Sequence, residues 1–108
     1  MNLRRDIFQA IADPTRRNIL ILLASQTITA GMIAEKFETA RSTVSKHIQI
    51  LAACDLIEAK QQGREIYYQL KIDKMQEVDL WLDQIRMIWE NRFDNLDKYL
   101  EKIQNKNQ

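Results

Sequence analysis

One cysteine in 108 residues leaves no partner for an internal disulfide. That fits a reducing cytoplasm and removes cross-linking from the sources of stability. One proline and two glycines are too few for a sandwich or barrel with its many turns, so most of the chain is expected to be helical. The longest apolar run, Ile19-Leu20-Ile21-Leu22-Leu23-Ala24, falls far short of the roughly 20 residues that span a bilayer. Its place behind Arg16 and Arg17 does not suit a signal peptide either. Histidine occurs once, as His47. No His-carboxylate pairing, glycine-rich phosphate loop or metal-spaced ligand cluster can be picked out, so neither an enzyme nor a cofactor is expected. Net charge is scarce as well, at +1, which excludes a diffusely basic protein.

What is present describes a single soluble globular domain, 45% hydrophobic and 29% charged. The charges are unevenly divided: residues 1–72 hold ten Lys/Arg against seven Asp/Glu, and residues 73–108 hold six against eight. A mildly basic body would suit nucleic acid and a more acidic end would suit a partner.

Apolar residues Leu3, Ile7, Phe8 and Ile11 make a helical stripe up to Ala12. Asp13-Pro14 closes it and opens a second helix, with Asp13 as cap and Pro14 in the first turn, running to about Ser25. Arg16 and Arg17 stand against the dipole of that helix. A structural ion pair to the first helix is favoured for them over phosphate contact. Gln26 to Thr29 is short and β-branched, a single strand ending in a Thr29 cap. A third helix runs from Ala30 to about Phe37, burying Ile33 and Phe37. Glu38-Thr39-Ala40 then turns the chain into a fourth helix that ends near Cys54.

On that fourth helix Val44, Ile48 and Leu51 share one face, while Ser42, Ser45, Lys46 and Gln49 gather on the other. The outward face carries hydroxyls, an amide and cations, with no carboxylate between Ser42 and Ala53. Such groups donate to phosphate oxygens and base edges, and nothing there repels a polyanion. Two short helices joined by a tight turn, the second with this outward face, form a helix-turn-helix. Leu56–Gln61 and Arg64–Ile72 follow as a hairpin around Gln62-Gly63, with Lys60 and Arg64 near its tip. Ile66, Tyr68 and Leu70 alternate with Tyr67, Gln69 and Lys71, the period of a half-buried strand. A basic hairpin in that place reads as a wing. Asp73 with Gln76 suggests a capping box for a last helix that meets no breaker. Its stripe holds Val78, Leu82, Ile85, Trp89, Phe93, Leu96, Leu100 and Ile103, widened by Trp81, Ile88 and Tyr99. About 30 helical residues span about 45 Å, more than so small a core can cover. A second copy is the simplest cover.

The order of elements and several local motifs resemble the ArsR/SmtB family of bacterial winged-helix transcriptional regulators. The motifs are Ile11 to Arg17 leading into Ile19-Leu20 and Leu22-Leu23, then Ser42 to Ile48, and Leu51 with Leu56-Ile57. Gly63-Arg64-Glu65 and Tyr67 to Leu70 complete them, and the likeness covers about residues 5–72. The long tail is similar to that of the family's metal-independent branch. The resemblance implies a homodimer that represses by placing a recognition helix of each protomer in a major groove of a palindromic operator. The family's metal sites do not transfer: the helix around Ile33-Ala34-Glu35-Lys36 lacks cysteine and the last helix lacks histidine. Ala40 stands where a Ser is usual, so Thr39 or Ser42 is expected to cap instead.

The expected fold is mostly α with a small β-hairpin wing, an α+β winged helix-turn-helix. Residues 1–73 form the DNA-binding domain, with the helix-turn-helix at about 29–54 and the wing at about 56–72. Residues 74–108 form a C-terminal dimerisation helix of the same unit. Double-stranded DNA is the expected partner: Ser42, Thr43, Ser45 and Gln49 read the major groove and Arg41 and Lys46 lie at phosphates. Lys60 and Arg64 reach backbone or minor groove. Leu3, Ile7, Phe8, Val78, Trp81, Leu82, Ile85, Ile88, Trp89, Phe93 and Leu96 are expected at the dimer interface. No membrane is involved, and a small-molecule effector is compatible but not indicated. The rivals are a protein-interaction module using the last helix and a repressor sensing an apolar ligand beside Trp81, Ile85 and Trp89. Cys54 reads as a small core residue before a redox switch, and His47 as a packing or hydrogen-bonding residue before a base contact.

Overall fold

The computed structural model describes residues 6–106. Leu3, expected both in the first helix and at the dimer interface, lies outside them. The chain divides into two compact units, Met1–Gln76 and Glu77–Gln108.

In the first unit α1 covers Ile7–Ala10, entered through Asp6, whose carboxylate accepts from the Gln9 N–H at 3.0 Å. The helix thus ends earlier than its apolar stripe suggests. Ile7 turns inward and is buried, whereas Phe8 stays exposed. Helix α2, Pro14–Ser25, begins where Asp13-Pro14 indicates, with the Asp13 carboxylate accepting from the N–H groups of Thr15 and Arg16. The guanidiniums of Arg16 and Arg17 donate to the carbonyls of Gln9, Ala10, Ile11 and Ala12, closing the open end of α1. The expectation of a structural role holds, but the partners in α1 are carbonyls and not carboxylates.

Strand β1, Ile28–Thr29, leads into α3, Ala30–Lys36, and Thr29 caps that helix through the Met32 N–H. Helix α4 runs Arg41–Ala53. Both α3 and α4 end in the same motif. After α3, Glu38 adopts φ 50°, and the N–H groups of Glu38 and Thr39 bond to the carbonyls of Glu35 and Ala34. After α4, Asp55 adopts φ 64°, and Asp55 and Leu56 bond back to Ala52 and Leu51. These are Schellman closures in which a non-glycine residue takes the left-handed position. Leu51 and Leu56, the two ends of the second closure, are both wholly buried.

Strands β2, Ile57–Gln62, and β3, Glu65–Leu70, pair antiparallel with Gln62 opposite Glu65, so Gly63 and Arg64 alone make the turn. Gly63 has φ 65°, the first central position of a tight hairpin, where glycine carries no Cβ penalty. Strand β1 joins the other edge of β3, giving a three-stranded sheet in the order β1-β3-β2. Ile66 near the tip is exposed and Tyr67 to Leu70 are all half-buried, so the expected alternation along β3 is not seen: burial changes from tip to base and not from one residue to the next.

The core of this unit is apolar throughout, centred on Ile19, Ile33, Val44, Leu51 and Leu56. Cys54 belongs to it, and its thiol donates to the Asp6 carbonyl at 3.4 Å. Beyond β3 a 3-10 turn at Ile72–Lys74 precedes α5, Met75–Lys106. Asp73 therefore lies in that turn and is not the cap of the long helix.

In α5 every residue from Asp79 to Asn105 is exposed. Trp81, Leu82, Ile85, Trp89, Phe93, Leu96, Leu100 and Ile103 lie between 39% and 52% exposed. Trp89 and Phe93 stack edge to face at 4.9 Å, and Arg92 lies over the Trp89 ring at 5.4 Å. Among the described residues no helix is long and apolar enough to cross a membrane.

Candidate nucleic-acid interface

Helix α4 divides its residues as the pattern requires. Val44, Ile48 and Leu51 are buried, while Arg41, Ser42, Thr43, Lys46 and Gln49 are exposed and Ser45 is half-buried. The helix starts at Ala40, whose side chain makes no cap; neither Thr39 nor Ser42 takes that place. Its first turn carries no acidic residue. The amide groups there gain no internal anion, and the positive end of the helix dipole adds to the Arg41 charge.

The wing stands beside this helix. Arg41 and Ser45 from α4 and Arg64 from the hairpin turn line one groove of about 530 Å³, which Thr29, Met32 and Tyr68 also line. Glu35 and Glu65 lie in the same lining, so this groove is close to neutral and the cationic character belongs to the outward face of α4. Lys60 is exposed on β2, opposite Tyr67 and away from the groove lining. The Glu65 carboxylate is engaged by the Tyr67 hydroxyl at 3.1 Å, which raises the tyrosine's pKa. At the base of the wing Lys71 pairs with Asp55 at 3.1 Å, and that carboxylate raises the lysine's pKa.

Sequence reasoning does not single out Thr29, Glu35 and Tyr68 as members of the groove. It gives Thr29 as a cap and Tyr68 as a strand residue. Both assignments hold, and no further signal marks them as groove residues until β1 is seen against β3. His47 lies at the edge of the buried stripe of α4, half-buried, with Nδ1 3.4 Å from Nη1 of Arg16. The hydrogen-bonding role favoured for it is thus present. Among the described residues no three His, Cys, Asp or Glu side chains come together in a way that could hold a metal ion.

A helix-turn-helix followed by a two-stranded wing, with a carboxylate-free outward face on the second helix, defines a winged-helix DNA-binding protein. Comparison with known proteins makes the class specific. A helix-turn-helix domain family matches residues 11–59. The transcriptional repressor SdpR of Bacillus subtilis is 40% identical over 77 residues, which cover 71% of this chain and 86% of SdpR. The regulator CmtR of Mycobacterium tuberculosis is 39% identical over 62 residues, 57% of this chain and about half (52%) of CmtR. Among solved structures, an ArsR-like transcriptional regulator from Rhodococcus sp. RHA1 is 29% identical with a TM-score of 0.79, covering 89% of this chain and 88% of that one. An ArsR family transcriptional regulator is 34% identical with a TM-score of 0.71, covering 78% and 92%. The chain belongs to the ArsR/SmtB family of winged-helix transcriptional regulators. It is a DNA-binding regulator of transcription.

Proposed function

We propose that this regulator is a cytoplasmic homodimeric repressor with no enzymatic role, one that occupies an inverted-repeat operator. The observation that carries the DNA side is the outward face of α4, where Ser42, Thr43, Ser45 and Gln49 stand without a carboxylate among them. In the major groove, Gln49 has the paired donor and acceptor that match adenine, and the hydroxyls read either base type weakly. Arg41 and Lys46 lie at phosphates, and Lys60 and Arg64 meet backbone or minor groove from the wing. The repressor name of SdpR supports the direction of regulation. The dimer rests on α5, whose apolar stripe exposes two tryptophans, Phe93 and several Leu and Ile. A second α5 would bury that stripe against an identical one, as a two-fold interface requires. Phe8 is the apolar residue that α1 leaves exposed. Binding needs no metal on this reading, in keeping with the metal-independent branch of the family.

The test is selection of duplexes from a random pool by the purified chain, with sequencing of what is retained. An enriched inverted repeat is expected. Gln49→Ala should then relax preference at one position of each half-site. Lys46→Ala should instead weaken all duplexes alike and lower the salt slope by about one for each phosphate no longer reached. No retention at low salt would move the function to protein interaction.

A further inference from the structure

The apolar face of α4 keeps Val44, Ile48 and Leu51 in the core, but hydrophobic burial is non-directional and fixes the rotation of a helix about its axis only to within the width of its apolar stripe. Reading base edges tolerates only about 0.5 Å and 10–20° of error. Something directional should hold the flank of the helix.

Arg16 is in place to do this. Its Nε donates to the Ala10 carbonyl at 2.7 Å and its Nη2 to the Gln9 carbonyl at 3.1 Å, which pins the guanidinium to the end of α1. Its Nη1 lies 3.4 Å from Nδ1 of His47 on the flank of α4. One planar group thus joins the end of α1, the first turn of α2 and the recognition helix. A guanidinium has only hydrogens to offer, so the imidazole nitrogen must be the acceptor. In that role Nδ1 of His47 is the bare ring nitrogen and the ring proton is on Nε2. The carboxylate of Asp13, the cap of α2, is engaged by the N–H groups of Thr15 and Arg16.

We propose that Arg16 and His47 are a positioning couple that fixes the rotation of α4, and with it the direction in which Ser42, Thr43 and Gln49 address DNA. The couple rests on the DNA-binding reading above. Neither residue needs to touch a base or a phosphate. At 3.4 Å the bond is long, so its contribution is orientation more than energy. It also explains why an arginine stands in the first turn of α2 against the dipole. Its charge is directed to the carbonyls of α1 and the imidazole of α4.

The experiment uses the full chain and the duplex that the wild type enriches from a random pool. His47→Leu removes the acceptor and should weaken binding about tenfold and blur base preference, with the salt slope unchanged. His47→Gln keeps an acceptor and should recover most of the affinity. Undiminished binding by His47→Leu would overturn the couple. So would a salt slope lowered by about one, since that marks a direct phosphate contact. A Gln variant no better than Leu would overturn it as well.

An independent readout needs no DNA. His47 is the sole histidine, so the imidazole ¹⁵N spectrum reports this ring alone. The wild type should show the Nε2–H tautomer, and Arg16→Met should release it to a mixture. A wild-type Nδ1–H tautomer would sink the contact even if the chain binds DNA. Failure to enrich any duplex, with the expected tautomer present, would instead remove the DNA-binding reading and the couple's role with it.

Discussion

The residues up to Gln76 and those from Glu77 onward solve the same problem in different ways. Both carry apolar residues at helical spacing. In the first unit Ile19, Ile33, Val44, Leu51 and Leu56 are under 2% exposed, and three helix starts are capped by Asp6, Asp13 and Thr29. In α5 the stripe from Trp81 to Ile103 keeps about half of each large side chain in water. The first unit buries its apolar residues, and the second leaves its apolar stripe half in water. Amphipathic spacing therefore shows that a face is meant to be covered, without showing what covers it.

Damage to each region in turn should separate the two. Ile19→Ala empties a site with no exposure and should cost about 3 kcal/mol, within the usual 2–5 for such a truncation. The unfolding free energy from urea titration should fall by that amount at every protein concentration. Phe93→Ala, which also removes the edge-to-face partner of Trp89, should behave differently. Its cost, about 2 kcal/mol for a central interface aromatic, should appear as a weaker dimer by sedimentation. Its melting temperature should converge on that of the wild type as both are diluted. A concentration-independent penalty for Phe93→Ala would mean that α5 is covered within its own chain.

The same contrast governs what the sequence makes legible. Asp13-Pro14 and the Thr29 cap can be read because capping is local chemistry between residues two or three apart. The outward face of α4 can be read from a missing residue type. The limits come where partners lie far apart in sequence. Arg16 and Arg17 suggest carboxylate partners, but nothing local says that α1 ends at Ala10 with its carbonyls within their reach. Asp73 and Gln76 have capping-box spacing, yet Ile72–Lys74 winds as a 3-10 turn and takes Asp73 into it. Ala40 caps nothing, and the nearby hydroxyls of Thr39 and Ser42 do not take its place. Ile7 and Phe8 both sit on the first apolar stripe, and only packing shows that Ile7 turns inward and Phe8 outward.

A smaller effect comes from the cap of α2. The Asp13 carboxylate accepts from two backbone N–H groups and has a lowered pKa, with the Arg16 N–H as the largest cause. Asp13→Ala should cost about 1 kcal/mol. The lowered pKa also sets the sign of its acid dependence. The stabilisation is fully present above the ordinary carboxylate value of 3.8 and is lost as pH falls through the lower folded value. Asp13→Asn keeps a capping oxygen and should unfold nearly as the wild type does at neutral pH, with a flatter acid limb. An unchanged acid limb would show that the charge is not held by the cap.

The least change is at Glu38, and it should improve the first unit alone. Its φ of 50° places an L side chain in the left-handed region that closes α3 and opens the turn to α4. Its N–H bonds to the Glu35 carbonyl through the backbone, so glycine would keep the closure. Glu38→Gly relieves the Cβ strain while loosening the unfolded chain, and the balance in such sites favours glycine by up to about 1 kcal/mol. The melting temperature of the winged unit should rise slightly, with the dimer constant unchanged because α5 is untouched. A fall in melting temperature would mean that the Glu38 side chain supports the turn by a contact worth more than the strain it bears.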